Sequence, residues 1–67
     1  MKTEIIKTIR GLIDQADSKL ISAEYINNQI ETGTFDKKEQ LQADKQVALA
    51  EHLLTSAMGL ILILKEN

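Results

Sequence analysis

The stretch ADKQVALAEHLLTSAMGLILIL, residues 43–64, decides the fold. Read at alternating steps of four and three, it lines up Ala43, Val47, Ala50, Leu54, Ala57, Ile61 and Leu64. That spacing holds apolar side chains on one stripe of a helix. Ala43, Ala50 and Ala57 alternate with larger residues along the stripe, and their single methyl lets a neighbouring helix approach closely. The pattern predicts a helix packed tightly on a second helix.

Working outward towards the N-terminus, Ile5, Ile9, Leu12, Ala16, Ala23, Ile26 and Ile30 follow the same rhythm, with Lys19 standing where one apolar residue is due. Between the two runs, Thr32-Gly33-Thr34-Phe35-Asp36 breaks both patterns. Glycine suits the left-handed position just past a helix, and Asp36 with Glu39 three residues on has the form of a capping box. We expect a helix over about residues 2–32, a turn at about 33–35 and a helix over about 36–65, making residues 1–67 a single all-α helical-hairpin domain. A connection this short makes the helices antiparallel neighbours, with facing residues whose numbers sum to about 66. Ile5 then faces Ile61, Ile9 faces Ala57, Leu12 faces Leu54, Ala16 faces Ala50 and Ala23 faces Ala43. Small meets small, as in an alanine-type coiled coil, and Lys19 is accommodated by laying its methylenes along the seam with its ammonium at the edge.

A second stripe lies beside the first: Ile6, Ile13 and Leu20 on the first helix, Leu53 and Leu60 on the second. One hairpin cannot bury both stripes. Ordering each residue costs about 1.5 kcal/mol of conformational entropy, which needs roughly 60 Å² of apolar burial per residue at about 25 cal/mol/Å². A two-helix seam falls short of that, so these five residues are expected to form a homodimer interface that completes a four-helix bundle.

Composition narrows the function. The chain of 67 residues has no cysteine and no proline, which removes disulfides, thiolate chemistry and cysteine-bound zinc and leaves little to break a helix. The interrupted apolar start, Met1 to Lys7, predicts no signal peptide, and a cytoplasmic location is expected. A net charge of −2 with a pI near 5.2 makes nucleic-acid binding an unfavoured reading. The apolar run from Leu53 to Leu64 is shorter than a membrane-crossing helix requires, so no membrane span is expected.

No side chains assemble into recognisable chemistry. His52, the single histidine, lies opposite the seam with no second ligand one turn away, so no metal and no cofactor are expected. Asp14, Asp17, Glu24, Asp44 and Glu51 read as solvated carboxylates, and no catalytic residue is assigned. Gly11 and Gly59 interrupt helices at roughly 1 kcal/mol each, as tolerated defects or as points of close approach for a third helix. Asn27 falls near the apolar face close to the turn, where a buried amide would fix register. Ile21 with Tyr25, and Leu62 with Ile63, point away from the seam and are the candidate partner-binding residues.

In plan, the alanine-rich hairpin resembles the small ROP-type dimeric helical hairpins. The resemblance implies a kissing-RNA binding face, yet Lys2, Lys7, Arg10 and Lys19 are not accompanied by an aromatic stripe. The expected function is that of a small bacterial or phage interaction protein, a dimeric regulator or inhibitor with a protein partner. An RNA-binding dimer and a peripheral membrane adaptor using the apolar end of the second helix are the alternatives.

Overall fold

The computed structural model describes residues 1–31 and 37–66. Two α-helices, α1 (Lys2–Glu31) and α2 (Lys37–Glu66), make up the described chain, with no strand among these residues. Their bounds lie within a residue or so of the sequence expectation. The expected turn at 33–35, with Gly33 as helix stop and Asp36 as cap, lies outside the described residues.

Each helix has 30 residues, about 45 Å of α-helix at 1.5 Å per residue, and the molecule measures 50 × 13 × 12 Å. The two helices therefore run side by side along nearly their whole length as a narrow two-helix rod. Polar residues inside the helices do not disrupt them because their hydroxyls turn back onto the backbone. Thr8 Oγ1 donates to the Glu4 carbonyl at 3.0 Å, Ser18 Oγ to the Asp14 carbonyl at 3.2 Å and Thr55 Oγ1 to the Glu51 carbonyl at 2.9 Å, the i−4 bond that exposed Ser and Thr make in helices. Glu39 lies in the first turn of α2 and Lys65 in its last, charges that oppose the helix dipole favourably.

The core is narrow. Its buried members are Ile9, Ala16 and Ala23 on α1 and Ala43, Ala50 and Ala57 on α2, with Ala16 and Ala50 each only 1% exposed. Both columns have the seven-residue spacing, and Ala23 and Ala43 line one groove, as the expected register with numbers summing to about 66 requires. Methyl groups facing methyl groups allow close helix approach, so helix contact is centred on alanine and the larger side chains are displaced to either side.

That displacement corrects the sequence reading of α2. Gln46, Leu53 and Leu60 are half-buried, while Val47, Leu54 and Ile61 are more exposed. The column beside the alanines on the sheltered side thus lies three residues after each alanine, and the expected seam members Val47, Leu54 and Ile61 lie outside it. Conversely, Leu53 and Leu60, assigned above to a dimer interface, are half-buried within the hairpin. The reason is geometric. Antiparallel helices are related by an approximate two-fold axis perpendicular to their common plane, so equal heptad offsets on the two helices fall on the same face. On α1 the half-buried column Ile5, Leu12, Lys19 and Ile26 lies three residues after the buried one, and α2 must match it with Gln46, Leu53 and Leu60.

Candidate functional surface

Two grooves establish which columns share a face. A shallow groove of about 390 Å³ is lined by Leu20, Glu24 and Asn27 from α1 and by Gln40, Asp44 and Val47 from α2. A smaller one of about 150 Å³ on the other side brings Tyr25, Ile26 and Gln29 against Glu39 and Gln42. Residues seven apart stay on one face of a helix. The hairpin therefore has a sheltered face, with Ile5, Leu12, Lys19 and Ile26 against Gln46, Leu53 and Leu60, and an exposed face.

The exposed face carries Ile6, Ile13 and Leu20 from α1 beside Val47, Leu54 and Ile61 from α2. All six are between 37% and 47% exposed. Three come from the expected dimer interface and three from the expected seam, so the structure brings into one patch residues that the sequence reading kept apart. The signal that could have joined them is the equal offset: each lies four residues after, or three before, a member of a buried column. Consecutive residues are split between the faces, Leu12 from Ile13 and Leu53 from Leu54.

Charge borders this patch unevenly. Glu24 and Asp44 line its groove near the turn, and Asp17 and Glu51 stand one heptad further on, all four exposed. The acids read as scattered are in this respect an ordered border. Towards the open end, the same two edge columns continue with exposed Arg10 and Lys65. Gln40 Nε2 donates to Asp44 Oδ1 at 3.0 Å, fixing the polar end of the groove. Asn27 is exposed in this groove beside Gln40, because the seam passes through Ala23 and Ile26; the buried register-fixing role weighed for it is not what the structure holds.

The remaining candidates lie on the outer surfaces. Ile21 and Tyr25 are 61% and 66% exposed, and Tyr25 also walls the smaller groove, in which Glu39 Oε2 is buried without a hydrogen-bond partner. Leu62 and Ile63 are exposed at the end of α2. His52 is exposed, and among the described residues no group of three or more His, Cys, Asp or Glu could hold a metal ion. A Cβ built on Gly11 or Gly59 meets nothing within 4 Å, so neither glycine serves a close approach within the hairpin. By length and composition α2 is apolar enough to cross a membrane, with a mean hydropathy of 1.9 over 18 residues, although its uninterrupted run from Leu53 is shorter than that.

No family model, curated protein or solved structure matches this chain.

Proposed function

We propose that this is a non-enzymatic interaction protein, a dimeric regulator or inhibitor that acts by occupying the surface of another protein. The observation that carries the reading is the distribution of aliphatic surface. The hairpin buries a column of alanines and leaves large side chains exposed on several sides, on a scaffold that offers hydrophobic area and rigidity in place of a catalytic cleft. Of these, Ile6, Ile13 and Leu20 with their neighbours on α2 serve self-association. The spot at Ile21 and Tyr25 and the end at Leu62 and Ile63 face outward and are left to contact the partner protein. A cytoplasmic location accords with the absence of cysteine.

The test uses two variants, Tyr25→Ala and the pair Leu62→Ser with Ile63→Ser, each first checked for unchanged helicity and mass. Partners recovered from native host lysate on the wild-type protein and identified by mass spectrometry should be lost on at least one variant, and their binding should change little between 50 and 200 mM salt. Retention of full binding by both variants would overturn the surface assignment. A captured RNA, released steeply over that salt range by counterion uptake, would overturn the class.

The apolar character of α2 supports a second reading, a peripheral membrane adaptor in which Leu62 and Ile63 enter the lipid interface. Co-sedimentation with neutral phosphatidylcholine vesicles, lost on Leu62→Ser with Ile63→Ser, would favour that reading over the first.

A further inference from the structure

We propose that the exposed face is the contact surface for a second copy of this chain, and that the two hairpins lie antiparallel with their turns at opposite ends. This deepens the dimeric reading above and rests on it. Three independent observations select the occupant and its orientation.

The first is area. The hairpin exposes 5337 Å², whereas a folded monomer of its mass exposes about 4,200 Å². Two copies that reach the surface expected of a globule of about 15 kDa would bury roughly 3,600 Å² between them, in the range of obligate homodimers. The second is chemistry. The columns of the more exposed face carry no charge, their polar members being Asn27 and Gln40 at the turn end, while the sheltered face holds the charged Lys19 and Glu39 together with Gln46. A monomer would gain from the opposite distribution; a chain whose exposed face meets another copy of itself requires this one.

The third is charge, and it sets the orientation. If the two turns lay at the same end, α1 would stack on α2 of the partner at equal height. Asp17 would then meet the partner's Glu51, and Glu24 the partner's Asp44, each twice by symmetry. Four like-charge contacts at the border of an apolar interface oppose that arrangement. With turns at opposite ends, α1 stacks on α1 and α2 on α2. The aliphatic stripe is centred on Ile13 and Leu54, so a two-fold axis through that level pairs positions on α1 whose numbers sum to about 26 and on α2 to about 108. Ile13 then meets the partner's Ile13, Leu54 the partner's Leu54, Ile6 the partner's Leu20 and Val47 the partner's Ile61. The same axis, chosen from the apolar residues alone, brings Arg10 to the partner's Asp17 and Lys65 to the partner's Asp44. Both basic border residues find an acid, and the turns overhang at the two ends.

The chain has no cysteine, so single-cysteine variants give unambiguous cross-links. Ile13→Cys alone and Leu54→Cys alone, each of native helicity, should become covalent dimers with a short thiol-to-thiol reagent, because each position lies against its own symmetry mate. Thr55→Cys, pointing outward, should remain uncross-linked under the same conditions. Arg10→Glu should weaken association by roughly three- to tenfold through its two symmetric contacts, and adding Asp17→Arg should restore it. A dimeric mass with cross-linking only when Ile13→Cys and Leu54→Cys are mixed overturns the orientation and leaves the dimeric reading intact. A dimeric mass with no cross-link at either position or in the mixture overturns the choice of face. A wild-type chain that is monomeric by light scattering at micromolar concentration overturns both this proposal and the dimeric reading.

Discussion

The sheltered and exposed faces of the hairpin are built from neighbouring residues, one on each side of the same two alanine columns, yet they end in different environments. Leu53 is half-buried while Leu54 stands 39% exposed; Leu12 and Ile13 divide in the same way. Helix rotation is set by what the alanine columns permit. Large side chains on one face are half-buried, those on the other are more exposed, and the chain invests aliphatic residues in both. For a self-sufficient hairpin the second investment is wasted.

The comparison breaks most sharply at Ile13. Ile13→Asp places an unpaired carboxylate in the proposed interface and should cost about 3–5 kcal/mol, dissociating the protein and removing most of its helical circular dichroism. Ile21→Asp, on the outer surface of the same helix, should leave the melting curve within about 0.5 kcal/mol of wild type. Equal tolerance of both substitutions would place Ile13 in solvent.

A milder test contrasts Leu53→Ala with Leu54→Ala by chemical denaturation. If the exposed face is covered, the two should destabilise comparably, by about 2–3 kcal/mol each. A large loss for Leu53 with almost none for Leu54 would mean that only the sheltered face contributes.

Much of this fold is legible in the sequence because an alanine-centred heptad over 30 residues leaves few alternatives: two helices, a short connection and facing small residues. The part that the sequence does not disclose is rotation. Starting from Ala43, both Gln46 and Val47 complete a four-three rhythm, and hydropathy favours Val47. The constraint that favours Gln46 is the symmetry of the antiparallel pair, which appears only when the offsets on both helices are compared. For the same reason Asp17, Glu24, Asp44 and Glu51 look scattered along the chain and form a border only once the faces are known. Function is less legible still, since an interaction surface has no required residue spacing of the kind a metal site or catalytic triad imposes.

The centre line shared by the two faces has its own test. Replacing Ala16 and Ala50 together by leucine should overpack the contact at roughly 1–3 kcal/mol per site and lower the melting temperature or change the oligomeric mass. An unchanged double variant would show that these alanines do not face each other. The smallest effect concerns the outer surface: Gly11→Ala and Gly59→Ala should each stabilise by about 0.4–1 kcal/mol, because the added methyl meets no atom within 4 Å and removes glycine's excess freedom in the unfolded chain. Loss of association on either change would instead place a third helix against that surface.

If one hairpin is half of a folded unit, sedimentation equilibrium combined with thermal melting across a hundredfold range of concentration will show it. The expected mass at micromolar concentration is twice the 7.5 kDa of one chain, with a melting midpoint that rises as concentration rises, since association and folding are linked. A 7.5 kDa species that melts cooperatively at a midpoint independent of concentration would contradict it.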